Sequence, residues 1–420
     1  MHQAPGSTST RSFLFLEGPY GSFFRRLGDA LAAEGHGVER INFNGGDRRD
    51  WGPGGHDFTG SAEDWPIFVD AFIDQHGITD LILYGDCRPL HRAAHGIARL
   101  RGCRTFVFEE GYIRPDFLTL ERDGVNGNSS LSNDPDWYVA EAAKLAPAPQ
   151  MPPVPGSFER RVREALGYQF ASAIARLRFR RYRPHRPYGP AKEALGWLRK
   201  WARRPADRRR SAATLDAIGG RPFFCFPLQL SSDHQIRSHS PFPDMPVAIT
   251  YVIRSFARFA PAGTLLVLKQ HPLHADLINY RRLIEQEAAR AGVSERVFYV
   301  EEADIDQMVE RALGVVTVNS TTGTLALRHG TPTVVLGHAV YNMPRITFQG
   351  SLDAFWTCPV PPEPEVFDAF CRVLLDRCLV HGGYHSESGL RELVEQSVAK
   401  LQARAGPPTP AGLRDRRPAQ

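Results

Sequence analysis

The chain has 420 residues, of which 42% are hydrophobic and 23% are charged. This balance is typical of a globular protein of two or three domains, and it excludes a wholly disordered, collagen-like or disulfide-scaffold chain. No run of about 18 apolar residues occurs, so no membrane-spanning helix is expected, and the polar start predicts no secretion signal. Six cysteines are scattered without a CxxC pair, which favours reduced thiols in the cytoplasm over a disulfide framework or a zinc site.

Strand-like and helix-like segments alternate along most of the chain. In the first part, strands are predicted at 12–16, 38–43, 80–84 and 104–109, and helices at 23–35, 65–76 and 90–100. In the second part, strands are predicted at 222–227, 264–269, 297–300, 315–318 and 333–336, and helices at 246–259, 276–291, 305–313 and 322–329. The alternation indicates βαβ units, that is, parallel sheets with helices on both faces.

Two parts of similar size predict an α/β protein with GT-B-type twin Rossmann-like domains, whose ligands bind in the interdomain cleft at the carboxyl ends of the strands. The predicted boundaries are a flexible arm at 1–11, a first domain at 12–150, a basic and aromatic-rich segment at 151–215, a second domain at 216–380, a C-terminal helix at 381–405 and a disordered tail at 406–420.

Two adjacent carboxylates, Glu109 and Glu110, end the strand predicted at 104–109 and precede Gly111. Ligand sites of α/β proteins gather at such strand ends. Neighbouring negative charges raise one carboxyl pKa, which suits a general base or a carboxylate nucleophile. A pair of solvated loop acids is the structural alternative.

A second strand end carries Lys269, His271 and Pro272. A histidine in this position can donate to a phosphate or a leaving group, and Pro272 fixes the turn that aims it. An ordinary turn is the alternative.

The hydroxyls of Ser320, Thr321 and Thr322 follow the strand predicted at 315–318 and open a short helix. Free N–H groups and hydroxyls at a helix start can bind an anion such as a nucleotide phosphate. The same residues also serve as ordinary helix caps, and both roles are compatible.

The loop after the first strand contains Gly18, Gly21 and Ser22. Its spacing is not GxGxxG, and no acidic residue ends the second strand, so we reject a dinucleotide site and favour a loop that admits an acceptor. The loop after the strand at 222–227 also faces the expected cleft, with the candidates Gln229, Ser232 and Asp233.

Two DxD strings occur, at 134–136 and 304–306. Neither follows a strand as a metal-binding DxD does, and the second is typical of a helix N-cap. We therefore expect neither a metal site nor a cofactor.

The segment 157–210 holds 17 Lys/Arg against 4 Asp/Glu, interleaved with aromatic residues, while the rest of the chain has a net charge of −8. This composition favours an interfacial element that binds anionic lipid headgroups. A solvated helical linker is a close second, and nucleic-acid binding ranks third because no RNA or DNA module surrounds the segment.

Taken as an ordered set, several motifs resemble the capsule polysaccharide biosynthesis/export family of KpsS/LipB type. They are LEGPYGSFFRRLGDAL, INFNGGD, FEEGYIRPDFLTLE, KQHPLH, VNSTTG and GSLDAFW. The resemblance covers about residues 12–380.

The resemblance implies a β-Kdo transferase that uses CMP-Kdo, with retention of configuration, to start an oligo-Kdo linker on a lysophosphatidylglycerol anchor. The resemblance implies that the protein is cytoplasmic and lies on the inner face of the inner membrane, where a KpsC-type transferase extends the linker. The first domain would then take the acceptor and the second the CMP-sugar. Glu110 would be the catalytic carboxylate, as base or as covalent nucleophile, with Glu109 in support. His271 would contact the CMP phosphate, helped by Ser320 and Thr321.

Two alternatives stay open at the level of sequence. The first is a twin-Rossmann sugar-nucleotide epimerase that needs no acceptor. The second is a non-catalytic export or scaffold component that binds the polysaccharide and its lipid.

Overall fold

The structure, a computed structural model, describes residues 10–149, 151–184, 189–230, 234–275 and 277–403. The strands are β1 Ser12–Phe15, β2 Gly37–Asn42, β3 His56–Asp57, β4 Asp80–Tyr84, β5 Arg104–Glu110, β6 Phe117–Arg122, β7 Phe223–Pro227, β8 Leu265–Lys269, β9 Val297–Val300, β10 Gly314–Thr317, β11 Thr333–Val335 and β12 Leu379–His381.

The α-helices are α1 Phe23–Ala33, α2 Gly45–Trp51, α3 Trp65–Gln75, α4 Pro89–Leu100, α5 Pro135–Ala142, α6 Phe158–Ile174, α7 Pro190–Ile218, α8 His234–His239, α9 Met245–Phe259, α10 Tyr280–Arg290, α11 Ile305–Arg311, α12 Thr322–Arg328, α13 Leu352–Phe355, α14 Pro364–Arg377 and α15 Glu387–Gln402. Short 3-10 turns lie at Asn126–Asn128 and Ala175–Leu177. Among the described residues, none of the helices combines the length and the hydropathy that spanning a bilayer requires.

Both sheets are doubly wound in the same sense. The first has the order β12-β6-β5-β4-β1-β2-β3 and the second the order β11-β10-β7-β8-β9. In each, the chain moves outward over three neighbouring strands and then restarts on the other side of the first of them. This reversal opens a crevice at the carboxyl ends, between β1 and β4 and between β7 and β10. The predicted α/β class with two Rossmann-like domains is confirmed.

The chain returns to the first sheet near its C-terminus. Strand β12 pairs antiparallel with β6, and α15 buries Leu390 and Leu393 in the same apolar core as Phe23 and Leu27 of α1. The sequence-based boundaries assigned 216–380 to the second domain and 381–405 to one helix. The structure divides this region differently. Residues 379–381 form β12, which completes the first sheet, and α15 begins only at Glu387, where the Ser386 side chain caps it.

Local chemistry explains the other differences in boundaries. The helix predicted to start at 276 begins at Tyr280, because the Asn279 side chain accepts from the Arg282 N–H. The short α2 was not predicted, since Gly45 and Gly46 are poor helix formers. It exists because the Asn44 side chain accepts from two N–H groups at its start. Residues 404–420, and with them the tail predicted at 406–420, lie outside the described residues.

Candidate active site at the facing strand ends

The acidic pair lies at the carboxyl end of β5, as predicted. Glu110 is about half exposed, with Oε2 3.7 Å from Arg114 Nη2 and Oε1 3.4 Å from the Tyr84 hydroxyl. Burial, and then the negative charge of Glu110, raise the pKa of Tyr84 well above its usual value. Tyr84 therefore keeps its proton and donates a hydrogen bond to the Glu110 carboxylate. Glu109 is half-buried and accepts, through Oε1, a hydrogen bond from the Glu110 N–H at 3.1 Å.

Gly111 is required by the path of the backbone. A Cβ at this position would lie 2.1 Å from the carbonyl oxygen of Phe117, so any side chain would force β5 and β6 apart. The loop that follows reaches the second domain, where Thr324 of α12 donates to the Tyr112 carbonyl at 3.0 Å. The acidic strand end is thereby fastened directly to α12, the helix that follows β10.

His271 follows the carboxyl end of β8 and is held in one tautomer. Its Nδ1 accepts from the Leu273 N–H at 3.0 Å, so a neutral ring carries its proton on Nε2. Burial, then the positive charges of Lys269 and Arg114, lower the pKa of His271 to about 4. His271 is therefore an uncharged N–H donor at neutral pH.

Cations surround the histidine. Lys269 is 6% exposed and donates to the Gln270 carbonyl, and burial followed by the charge of Lys200 lowers its pKa. Lys200 of α7 donates to the carbonyl oxygens of Pro272 and His274, so the basic segment itself holds the loop after β8. A cluster of like charges, of which Lys269 is buried, favours an anionic ligand.

Arg114 connects the two strand ends. It pairs with Glu110 of the first domain, and its charge acts on His271 of the second. Arg114, which pairs with the predicted carboxylate, therefore also lies within electrostatic range of the predicted histidine.

The loop after β10 is folded tightly on itself. The Ser320 hydroxyl accepts from the Thr322 N–H and donates to the Thr322 hydroxyl, both at 3.2 Å, whereas Thr321 makes no side-chain cap. Gly323 is required here, since its Cβ would lie 2.2 Å from the hydroxyl of Tyr341. Helix α12 has only seven residues, so hydroxyls and N–H groups, more than a helix dipole, are what this loop offers a ligand.

The loop after β7 is hydrogen-bonded to the loop after β10. Gln229 donates to the Asn319 side chain at 2.8 Å and accepts from the Asn319 N–H at 3.1 Å. The side-chain amide of Gln229 thus joins the two loops that border the crevice between β7 and β10. The other two candidates of this loop, Ser232 and Asp233, lie outside the described residues.

The candidate acceptor loop after β1 packs against α6. Gly21 has φ +98°, and its N–H donates to Asp50 at 2.8 Å. A Cβ on Gly21 would lie 2.8 Å from the Glu164 carboxyl carbon, and the Tyr20 ring lies 4.6 Å from that of Tyr168. Gly18 and Ser22 flank this contact, Gly18 against the Phe24 ring and Ser22 at the start of α1.

A buried charge network below this loop was missed by the sequence analysis. Glu17 pairs with Arg88 at 3.0 Å, across the crevice between β1 and β4, and Arg40 pairs with Asp47 at 3.0 Å. Burial, against the opposing effect of Arg40, raises the pKa of Asp47 to about 6. The available signal was Glu17 directly after a strand, but nothing local indicated that distant arginines would meet it.

A second cluster joins the domains. Cys87 Sγ lies 3.3 Å from Asp86 Oδ1 and 3.2 Å from His239 Nε2 of α8. Burial, then the charge of Asp86, raise the pKa of the Cys87 thiol to about 12, so the thiol is a hydrogen-bond donor. A further group of Glu39, His56 and His76 also brings possible metal ligands together.

The DxD strings serve as helix caps. Asp134 accepts from the Asp136 N–H at the start of α5, and Asp304 accepts from the Asp306 N–H at the start of α11. Neither string belongs to the two groups of possible metal ligands found among the described residues.

Comparison with known proteins identifies relatives of similar length. Capsule polysaccharide export protein KpsS of Escherichia coli is 34% identical over 388 residues, which cover 90% of this chain and 97% of KpsS. Capsule polysaccharide modification protein LipB of Neisseria meningitidis serogroup B is 34% identical over 395 residues, which cover 90% of this chain and 93% of LipB.

Solved structures resemble the chain more distantly. The β-Kdo 2,7 transferase of Thermosulfurimonas dismutans KpsC has a TM-score of 0.43 and 14% identity, covering 92% of this chain and all of that one. A glycosyltransferase from Rickettsia africae has a TM-score of 0.33 and 8% identity, covering 94% and 93%. The family model described as capsule polysaccharide biosynthesis protein matches residues 79–385, and with the two relatives it shows that the chain belongs to the capsule polysaccharide biosynthesis protein family.

Proposed function

We propose that this chain is a glycosyltransferase of capsule synthesis that transfers Kdo from CMP-Kdo, with retention and in β-linkage, to a lysophosphatidylglycerol acceptor. The product would start the poly-Kdo linker, which a KpsC-type transferase would extend at the inner face of the inner membrane. Family membership and the resemblance of the ordered motifs support this assignment.

One observation carries the proposal: Arg114 pairs with Glu110 and also acts electrostatically on His271. A transferase must hold an activated donor and a reacting carboxylate within reach of one sugar carbon. Here an acidic and a cationic strand end, from different domains, share one arginine. A donor sugar between them would have its anomeric carbon toward Glu110 and its phosphate toward His271.

Retention requires either two successive displacements at the anomeric carbon, each with inversion, or attack by the acceptor from the same face that CMP leaves. In one route the Glu110 carboxylate attacks the anomeric carbon, and the electron pair of the broken C–O bond leaves with CMP. The acceptor oxygen then attacks from the face opposite the carboxylate, displaces it, and gives up its proton to solvent. In the other route the acceptor oxygen attacks from the face that CMP leaves while the C–O bond to CMP breaks, and Glu110 acts as the base that takes the acceptor proton. Glu109 supports Glu110 in either route.

The leaving phosphate would meet donors that are already in place. His271 offers an uncharged Nε2–H, and Lys269, Lys200 and Arg114 supply positive charge around it. Such preorganised donors stabilise a departing anion without the need to reorient at the moment of reaction. Ser320, Thr321 and Thr322 are proposed to bind the same phosphate or the nucleotide.

The experiment is incubation of the chain with CMP-Kdo and fluorescent lysophosphatidylglycerol, followed by mass measurement of the lipid. The expected product is heavier by one Kdo residue. Parallel reactions contain UDP-sugars, so that an epimerase would be recognised by their conversion without an acceptor. Glu110→Gln should give no product, and Glu365→Gln, on an exposed residue of α14, serves as the matched control. No adduct with CMP-Kdo would refute the proposal.

A further inference from the structure

Helix α6 exposes a continuous apolar stripe. Six large side chains recur about every four residues on one face of α6 and the turn after it, and most are more than 60% exposed: Phe158, Val162, Leu166, Phe170, Ile174 and Leu177. At 1.5 Å per residue the stripe is about 28 Å long. Exposed apolar side chains that stand alone are ordinary, but a contiguous stripe of this kind marks an interaction surface.

Helix α6 does not pack against the rest of the chain through this stripe. The opposite side fits closely against α2, where a Cβ on Gly45 would lie 2.2 Å from the Ala171 carbonyl oxygen. Tyr168 is buried there and donates to Asp47 at 3.2 Å, and Ser172 donates to the Asn44 side chain at 3.1 Å. Because these contacts fix the rotation of the helix, the apolar stripe stays exposed.

Positive charges border the stripe. Several of the exposed arginines on α6 and in the turns after it have no ion pair among the described residues: Arg161, Arg163, Arg176 and Arg180. By contrast, Arg178 is engaged by Asp57 and Arg181 by Asp64. An apolar face edged by free cations is complementary to a bilayer that carries anionic headgroups.

The inner side of α6 contacts the candidate acceptor loop. Gln169 donates to the Tyr20 hydroxyl at 3.3 Å, and Glu164 packs on Gly21. A surface bound to the outer side of α6 would therefore lie one helix diameter, about 10 Å, from this loop.

We propose that the α6 stripe inserts into the headgroup region of an anionic bilayer and so holds the loop of Gly18, Gly21 and Ser22 at the membrane surface. The membrane contact stands by itself, whereas the role of the loop in receiving a lipid acceptor rests on the proposed function. A helix with this pattern lies in the plane of the interface, with its apolar face about 5–10 Å deep.

The test uses the full chain and two kinds of vesicle, pure phosphatidylcholine and phosphatidylcholine with phosphatidylglycerol. Wild-type chain should sediment with the anionic vesicles, more weakly in 1 M salt, and at least tenfold less with the neutral ones. Combined Leu166→Gln, Phe170→Gln and Ile174→Gln should reduce binding at least tenfold. The matched control combines Ile67→Gln, Leu100→Gln and Val360→Gln, three exposed apolar residues elsewhere, and should bind like wild type.

A second variant, with Gln at the four free arginines, should lose the preference for anionic vesicles. Circular dichroism should show unchanged unfolding temperatures for every variant, since all the substituted residues are exposed. Equal sedimentation of wild type and the α6 triple variant would overturn the proposal. Failure of the wild type to bind vesicles would also overturn it and would leave the stripe as a surface for a protein partner.

Transfer assays separate this inference from the proposed reaction. With the soluble headgroup glycerophosphoglycerol as acceptor, the triple variant should match wild type, whereas transfer to lipid in vesicles should fall at least tenfold. If no acceptor is ever glycosylated but sedimentation depends on the stripe, the membrane contact stands and the proposed function fails. If transfer in vesicles is unaffected by the stripe variants, the role of α6 in presenting the acceptor is refuted.

Discussion

The two strand ends at the domain junction differ in charge and in exposure. Glu110, at the end of β5, is about half exposed and pairs with one arginine at 3.7 Å. His271, just beyond the end of β8, is surrounded by cations and has its pKa lowered to about 4. The acidic end is open to an incoming group, whereas the basic end gathers positive charge around a partly buried histidine and the buried Lys269.

This difference matches the two tasks of the proposed transferase. A carboxylate that must meet a mobile acceptor needs access, while groups that receive a leaving phosphate act best in a dry, preorganised setting. The proposed roles of Glu110 and His271 follow from this asymmetry, and substitutions at the two ends should have different consequences.

The largest effect is expected for Glu110→Gln. Because the carboxylate would act on the reacting carbon, turnover should fall by on the order of 10³ or more. Affinity for CMP-Kdo, measured by calorimetry, should change by less than about threefold, since in the proposed arrangement the other domain would supply those contacts. Glu109→Gln should have a smaller effect. A variant at Glu110 that kept most of its rate would show that the reacting carboxylate is a different one.

A smaller effect is expected for His271→Ala, which should slow transfer by about 10²–10³ and also weaken donor binding. His271→Gln retains an N–H group near the position of Nε2 and should recover part of this loss. Steady-state kinetics at pH 7.5 distinguish the two roles. If Gln were no better than Ala, donation by an uncharged imidazole would be the wrong description of His271.

The low pKa of His271 also predicts a dependence of stability on pH. The folded-state pKa lies below the usual value near 6.5, so the neutral form stabilises the fold above that value and this contribution is lost as pH falls toward about 4. The loss amounts to at most about 3 kcal/mol. Denaturant unfolding of wild type and His271→Gln between pH 7 and 4 would measure it, because other groups cancel in the difference. Parallel curves would contradict the prediction.

The smallest effect is expected from chelation. Both DxD strings cap helices, and in the proposed reaction the leaving phosphate would meet His271 and its neighbouring cations, so transfer rates should be unchanged in EDTA. A loss of activity that Mg²⁺ or Mn²⁺ restored would mean that a metal ion takes part. In that case the groups around Cys87 and Glu39 would be the first to examine by substitution.

The sequence predicted the two polar strand ends, at Glu110 and at His271, but not the arginine that lies near both of them. Buried strands such as LLVLK and the residues that follow them are local patterns, and they predict a ligand edge directly. The position of Arg114 depends instead on the path of a loop through a contact with α12, between residues over 200 positions apart. No short-range pattern contains that information.

The stripe on α6 shows a different limit. Its spacing of four residues was visible in the sequence, but an apolar stripe ordinarily predicts the buried face of a helix. Here the buried face uses Tyr168, Ala171 and Ser172 against two glycines, a combination of small and polar residues that does not stand out. Only the packing shows that the more hydrophobic face is the exposed one.

The return of the chain to its first sheet has a consequence for biosynthesis. Strand β12 and helix α15 complete the sheet and the core that residues 12–122 begin, yet they are synthesised about 260 residues later. Domains generally fold as units while the chain emerges from the ribosome, the N-terminal one first. In this chain the first sheet is finished last, so β6 and the apolar side of α1 stay uncovered while the second domain is made. A fragment that ends before residue 379 would leave the same surfaces bare. A separately expressed first domain should therefore include β12 and α15 as well as the N-terminal residues that form the rest of its sheet.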